Sequence, residues 1–550
     1  MVMMSGPRLA AVSVFSIWVC LQLQAILPVR PECFTAVVKI ERAFEYERSF
    51  LDAGTKAFQV LGNDFPDIFA RFFKRLLYDA QTDHTAGDDE HLTFTEHPIN
   101  IYRIVKRMTA WRSAVDQSQL RDIDNHVIQE FIDESKTFTS DDIWPSEIDV
   151  NGSALGLIRV RALYNISFGD LITGRIKSVQ SRSLSLDDFI EIADVAVHNS
   201  EHAYDMYEPL RWLLHAQDAF LNGSRFEKYS EAGLYRLLSK GFDKFGDGVK
   251  AIRYIELARA LEYTDETLLK EEDDLNIKYR STSAEMDFDV LKFNLTLQYE
   301  ALCRGDIEHV SSPDLKCYHQ RTQIPYRPAD VEVVNVDPYV ALVHRTIHPN
   351  EIKAVKELAL LSFARSHVLA TEEVHSISEN RISESAWLED DLDDPEDLIS
   401  KLSRRVEHLT GLSTLLRDRK SPCEDFQVLN YGIGGMYEPH HDFYDIDAFE
   451  RYGDKDSKVF GSGNRIATWM FYINDVKAGG ATVFPELGVR IPVVKGAAAF
   501  WYNLYRNGTG DSRTLHAGCP VLMGSKWVAN KWMHEIDQQF RRPCSIDPNK

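Results

Sequence analysis

The stretch Tyr437-Glu438-Pro439-His440-His441-Asp442-Phe443 sets an imidazole and a carboxylate two positions apart. On an extended strand, side chains at i and i+2 leave the same face. His440 and Asp442 would then supply two of the three ligands of a 2-His-1-carboxylate site. That set holds non-haem Fe(II) and leaves coordination positions open on its far side. His441 lies between them and should face away, so it reads as a non-ligand. A third ligand is available in His516, within Arg513-Thr514-Leu515-His516-Ala517-Gly518. Lys526 follows in Gly524-Ser525-Lys526-Trp527. The Pro and Gly of Pro520-Val521-Leu522-Met523-Gly524 allow a tight connection. An antiparallel pair turning near Val521 would set His516 roughly opposite Lys526 on one face. A fixed ammonium beside such a metal suits a dicarboxylate co-substrate, which chelates with one end and needs a cation at the other. Singly, each feature is weak. A His-x-Asp is common by chance, a downstream His adds little, and a lone Lys is usually a solvated surface residue.

The combination gains weight from its surroundings. Residues 426–431, 466–473, 481–484 and 498–502 are short β-type runs separated by Gly and Pro clusters. This is the pattern of a small double-sheet roll whose mouth can hold a cofactor.

Six blocks carry a resemblance. They are Asn430-Tyr431-Gly432, Tyr437-Glu438-Pro439-His440, Gly463-Asn464-Arg465-Ile466-Ala467-Thr468-Trp469, Gly479-Gly480-Ala481-Thr482-Val483-Phe484-Pro485, Phe500-Trp501-Tyr502-Asn503-Leu504 and Asn530-Lys531-Trp532. In this order they resemble the catalytic domain of the collagen prolyl 4-hydroxylase α subunit. The resemblance implies iron at His440, Asp442 and His516. It implies 2-oxoglutarate held by Lys526, with hydroxyl help from Tyr431 and Thr482. The family usually has Phe where this chain has His441. Disulfides matching Cys303 with Cys317 and Cys519 with Cys544 are implied as well, leaving Cys33 and Cys423 without an obvious partner.

The chain has 550 residues, room for two to four domains. Its composition, 44% hydrophobic and 27% charged, is ordinary for a soluble globular protein. A formal net charge of −22 argues against a nucleic-acid partner, because phosphate would be repelled. Residues 1–30 read as a secretory signal, with Arg8 ahead of an apolar core from Leu9 to Leu21. The alternative is a membrane anchor, for which that core is short. No later stretch reads as a membrane span. Five Asn-x-Ser/Thr sequons, at Asn151, Asn165, Asn222, Asn294 and Asn507, fit a secretory chain, and seven cysteines fit an oxidising compartment.

Periodicity makes the first half helical. Residues 34–145 carry apolar positions at three- and four-residue spacings, broken by the polar stretch 79–90, with Pro98 near the first turn of a second helix. Residues 188–221 and 230–263 each approach one tetratricopeptide unit, with Gly246-Asp247-Gly248 as the turn inside the second. Tyr204, Tyr207, Trp212, Tyr235, Phe242 and Phe245 could stack on prolines, though core positions explain any one of them. Residues 266–300 read as a linker or an exposed helix, and the acidic run 389–397 as a solvated loop.

The expected fold is therefore a multidomain α + β chain. A signal (1–30) precedes an N-terminal helical dimerisation region (31–148) and a tetratricopeptide-like peptide-binding domain (149–265). A linker (266–300) leads to a double-stranded β-helix, or jelly-roll, dioxygenase domain (301–550, core 421–537). The resemblance implies an enzyme of the endoplasmic reticulum lumen that 4-hydroxylates prolyl residues in collagen-like chains. It would use Fe(II), 2-oxoglutarate, O₂ and ascorbate and release succinate and CO₂. The C-terminus carries no Lys-Asp-Glu-Leu signal, so a partner must retain the chain. In the family that partner is protein disulfide isomerase, the β subunit of an α₂β₂ tetramer. Two other readings stay open: a related secretory dioxygenase such as a lysyl hydroxylase, against which Lys526 argues, and a helical-repeat scaffold with a decayed oxygenase. Where family members line the peptide groove with tyrosines, this chain has Leu237, Lys240 and Asp243. That predicts weak binding of plain Pro-Pro-Gly repeats and a preference for charged collagen segments.

Overall fold

Apolar residues at helical spacing form α1 (Val37–Leu61) and α2 (Pro98–Gln117). They bury Phe44, Phe50, Val105, Met108 and Trp111. Pro98 opens α2, where its missing N–H leaves no partner unsatisfied. Inside this layer Arg107 is forked against Glu47 by bonds of 2.7 and 2.8 Å and also bonds Asp83. A buried guanidinium left unpaired would be strongly destabilising. The structure, a computed structural model, describes residues 37–547 except 62–73, 84–93, 118–125, 134–143, 200–205, 281–296, 308–312, 323–327, 369–375, 378–380, 415–420, 445–459 and a few single positions. The signal reading for residues 1–30 lies outside the described residues, as do Tyr204, Asn294 and Cys33. Among the described residues no helix is long and apolar enough to cross a membrane.

Next come α3 (Glu147–Leu163) and two consecutive helix pairs: α4 (Leu186–Asn199) with α5 (Tyr207–Leu221), and α6 (Glu231–Phe245) with α7 (Gly248–Leu261). Gly246 ends α6 at φ +97, a left-handed conformation that favours glycine. Asp247 then starts α7 by accepting the Lys250 N–H at 3.0 Å. Trp212, Tyr235, Phe242 and Phe245 are buried, the core alternative rather than an exposed platform. Of the two readings of residues 266–300, linker or exposed helix, the helix holds over the part described before residue 281. Glu266 to Lys278 form α8, which buries Leu268 and Leu275. After it, Tyr279 packs on Gly248 and donates to Asp243 Oδ1 at 2.9 Å, beside Lys278 at 2.7 Å. Asp243 is thus tied to the following helix. Leu237 is buried, so of the three groove positions only Lys240 keeps a half-exposed side chain that this network does not take up.

The C-terminal half is two facing sheets. The strands are β1 (Cys317–Gln320), β2 (Ala329–Asn335), β3 (Val340–His344), β4 (Ala364–Arg365), β5 (Glu384–Leu388), β6 (Phe426–Tyr431), β7 (Tyr437–His440), β8 (Arg465–Tyr472), β9 (Thr482–Phe484), β10 (Val489–Ile491), β11 (Ala498–Tyr502), β12 (His516–Gly518) and β13 (Lys526–His534). The larger sheet runs β1-β2-β3-β11-β8-β13-β6-β5-β4, and the smaller runs β7-β12-β9-β10. β13 is buried along its whole length. Its alternate residues Lys526, Val528, Asn530 and Trp532 line the cavity between the sheets. Trp527, Ala529 and Met533 point the other way, into a core shared with α10 (Pro349–Leu360) and α11 (Leu398–Thr410). This is the double-sheet roll expected from the strand pattern.

The acidic run is not simply a solvated loop. The Asp390 side chain is fully buried and bonds Lys531 Nζ at 2.9 Å, and Asp397 caps α11 through the Ser400 N–H at 2.7 Å. The implied disulfides are corrected too. Cys303 is bonded to Cys519, while Cys317 and Cys544 are exposed and free. The cause is packing. Helix α9 (Leu297–Arg304) joins a small core with Leu163, Ala481, Val483 and Ala517, which carries Cys303 onto Cys519. Cys317, by contrast, lies on the edge strand β1 of the larger sheet. Cys423 is buried, donates to Thr414 O at 2.9 Å, and has its thiol pushed up to about 11 by burial.

The helical half packs on the mouth of the roll. A Cβ on Gly434 (φ +69) would stand 2.7 Å from Gly156 Cα of α3, so the two backbones touch directly. Arg159 donates to Gly434 O at 2.7 Å, and Tyr164 to Pro520 O at 2.5 Å. The loop that leads into β7 is therefore braced from outside by α3.

Candidate metal and co-substrate site

Three side chains meet at one end of the cavity. His440, Asp442 and His516 are the group, among the described residues, whose ligand atoms could hold a metal ion; those atoms lie within 4.8 Å of one another. His440 ends β7 and pairs in register with His516 on β12. Asp442 is past the end of the strand, so a short turn rather than strand alternation delivers its carboxylate. His440 Nε2 is 3.7 Å from Asp442 Oδ1, and His516 Nε2 is 3.7 Å from Asp442 Oδ2.

Each imidazole is fixed by its other nitrogen. His440 Nδ1–H donates to Glu438 O at 2.7 Å, and His516 Nδ1–H to Thr514 O at 3.1 Å. Both Nε2 atoms therefore turn a lone pair toward the carboxylate, as a metal ligand must. Tyr437 stacks on His440 at 3.5 Å between ring centroids, and Trp501 meets His516 edge-on at 4.8 Å. Burial holds both histidines below the usual imidazole range, hence neutral. For Asp442, burial favours the neutral form, but the two histidines, Arg465 and a Thr468 hydrogen bond outweigh it and hold the pKa at about 2. Two neutral imidazoles and one carboxylate in an arc match the donor set of Fe(II).

His441 turns away, as expected, but it too lies past the end of β7, so the turn rather than strand alternation sets its direction. Its Nε2–H donates to Ser512 O at 3.0 Å, and its ring lies 4.7 Å from Phe443. The substitution His441→Phe is expected to cost about 0.5–1.5 kcal/mol for the lost hydrogen bond and to leave metal affinity unchanged. Titration of the variant with Mn(II) checks this, and loss of binding would make His441 a ligand.

Lys526 lies at the other end of the cavity, paired in register with Tyr431 on β6. The hairpin expected between His516 and Lys526 does not form. β12 belongs to the smaller sheet and β13 to the larger. The connection spends Val521–Met523 in a separate strand against Ala478–Gly479, which carries the chain across. The two side chains therefore face each other from opposite sheets. Lys526 Nζ donates to Thr482 Oγ1 at 3.3 Å, and Tyr472 OH donates to the same oxygen at 2.9 Å. A hydroxyl accepting two bonds keeps its own proton to give elsewhere. Tyr431 places its ring 5.8 Å from Nζ. Burial alone drives Lys526 down to about 7. A buried ammonium, a hydroxyl donor and apolar walls from Val528, Met470 and Trp501 suit the far carboxylate of a dicarboxylate.

Sequence reasoning missed several residues here. Thr468, Asn503 and Tyr472 are in contact with Asp442 or Thr482, directly or through one another. Alternation along β8 could have placed Thr468 and Tyr472 on the cavity face. Arg381 also lines the cavity; its position comes from an isolated bridge to Tyr437, for which no local signal exists.

Residues 426–534 match the 2OG-Fe(II) oxygenase superfamily, and residues 67–178 match the N-terminal region of the prolyl 4-hydroxylase alpha-subunit. Prolyl 4-hydroxylase subunit alpha-1 of Homo sapiens is 32% identical over 560 residues, covering 96% of this chain and 99% of that protein. Subunit alpha-3 of Mus musculus is 33% identical over 559 residues, covering 94% and 95%. Subunit alpha-2 of Caenorhabditis elegans is 33% identical over 478 residues, covering 82% and 83%. The solved structure of a viral collagen prolyl hydroxylase from Paramecium Bursaria Chlorella virus-1, in its 2OG complex, matches 36% of this chain and 96% of its own at 24% identity and a TM-score of 0.27.

Proposed function

Because the chain belongs to the prolyl 4-hydroxylase α-subunit family, we propose that it is the α subunit of an enzyme that 4-hydroxylates prolyl residues in collagen-like chains. The observation that carries the reading is the alignment of His440, Asp442 and His516 with Lys526 in one buried cavity. His440 Nε2, His516 Nε2 and one Asp442 oxygen hold Fe(II). Lys526 and Thr482 bind the distal carboxylate of 2-oxoglutarate, with Tyr431 beside them. Bound iron and 2-oxoglutarate supply the oxidation: one O₂ is consumed, 2-oxoglutarate leaves as succinate and CO₂, and a proline C4–H becomes C4–OH. The protein orients these partners and excludes water with Met470, Trp501 and Val528. Ascorbate, typical of the family, keeps the iron reduced.

The helices divide the remaining tasks. α1 and α2 belong to a dimerisation region (31–148). The helix pairs α4–α7 form a tetratricopeptide-like peptide-binding domain (149–265), which α8 closes. Residues 301–550 are the catalytic domain. The partner is protein disulfide isomerase in an α₂β₂ tetramer, in the lumen of the endoplasmic reticulum. The test is co-expression with that partner, followed by 2-oxoglutarate turnover on a charged collagen-like peptide and on a Pro-Pro-Gly repeat, with mass spectrometry of each peptide. The expected result is succinate release matched by hydroxyproline. Hydroxylysine on a lysine-bearing peptide would favour the lysyl alternative. No 2-oxoglutarate consumption by metal-loaded protein would favour the scaffold.

A further inference from the structure

Beyond the ligands themselves, a buried relay runs into the carboxylate of Asp442. Thr468 Oγ1 lies 2.7 Å from Asp442 Oδ2, and Asn503 Nδ2 lies 3.0 Å from Thr468 Oγ1. Thr468 and Asn503 are at most 1% exposed, and Asp442 is 7% exposed. The direction of the relay follows from chemistry alone. An amide nitrogen can only donate, and an ionised carboxylate can only accept. The single Thr468 proton therefore goes to Asp442, and its oxygen receives the Asn503 N–H.

The relay is anchored in the larger sheet. Thr468 is a stiff β-branched residue in the middle of β8, paired with Trp501 on β11 and Trp532 on β13. Asn503 follows β11, and its backbone is held on both sides: its N–H donates to Ile466 O at 2.8 Å, and its carbonyl accepts from the Asp511 N–H at 2.9 Å. Asp442, by contrast, lies beyond the end of β7 with no strand pairing of its own. Without a tether, a carboxylate there could rotate and grip a metal with both oxygens. That would use up a position the reaction needs open.

We propose that Thr468, oriented by Asn503, is a positioning residue that occupies Asp442 Oδ2 and so presents the carboxylate to the metal through one oxygen. The proposal rests on the triad reading above. Groups that orient metal ligands typically change affinity or activity 10–100-fold when removed.

The test uses the full chain in complex with its partner, freed of metal and titrated with Co(II). Thr468→Val keeps the shape and removes the hydroxyl; Thr468→Ser keeps the hydroxyl and removes the methyl. The expected result is Co(II) affinity about 10–100-fold weaker in Thr468→Val and within a few-fold of wild type in Thr468→Ser. Asn503→Leu should fall between them. The visible Co(II) band should also change in Thr468→Val, since its intensity reports coordination number. Wild-type affinity and spectrum in Thr468→Val would overturn the proposal. So would an equal loss in Thr468→Ser, because packing rather than the hydroxyl would then be responsible. His440→Ala is the control. If it binds Co(II) like wild type, the triad reading itself fails, whatever Thr468 does.

Discussion

Replacing His440, Asp442 or His516 by Ala is expected to reduce turnover to background and to abolish Fe(II) binding, while the chain stays folded. Each residue is one third of the ligand set, and the remaining two donors cannot hold Fe(II) against water. The histidines are neutral and make one backbone hydrogen bond each, so their loss should cost about 1–3 kcal/mol of stability. Asp442→Ala removes a buried anion but strands the Thr468 hydroxyl, a cost of about 1–3 kcal/mol. Two measurements decide the matter. Wild-type protein should gain thermal stability on adding Mn(II), because the ion binds only the folded state, and each variant should lose that gain while keeping its circular dichroism. Full turnover in any one of them would remove that residue from the site.

Lys526→Ala is expected to raise the 2-oxoglutarate KM by about 100-fold or more. It leaves a buried carboxylate without its charge partner, a loss on the order of 3–5 kcal/mol. The pH dependence gives a sharper signature. Burial holds the free Lys526 at about 7. A bound carboxylate needs the charged form, so above pH 7 binding must take up a proton, and affinity should fall as pH rises, by up to about tenfold per unit. Below pH 7 the ammonium is already formed and the dependence flattens. Lys526→Ala should bind weakly with no such slope. Lys526→Arg should recover part of the affinity, limited by the different reach of its fork, and also lose the slope, because a guanidinium stays charged. A wild-type slope in either variant would assign the titration to another group.

The types of the chemical residues, and their order, were legible in the chain itself. His440, His441 and Asp442 are consecutive, so their being sorted within one short segment is a local property. The β-type runs between 426 and 502 all became strands, and the Gly246-Asp247 turn formed where its residues demand it. These features depend on a few adjacent residues, so a local pattern suffices to state them. The remaining features were decided by contacts between distant segments. His516 and Lys526 look like the two arms of a hairpin, yet a small strand between them carries the chain from one sheet to the other. Cys303 meets Cys519 because α9 packs on the smaller sheet, which no cysteine spacing reveals. Asp390 reads as one of many solvated acids, and its side chain is buried against Lys531. Thr468 and Asn503 touch only because β8 and β11 are neighbours in the larger sheet. Hydrophobic burial chooses which faces and edges meet across long separations, and that choice is a property of the whole packed chain, not of any window within it.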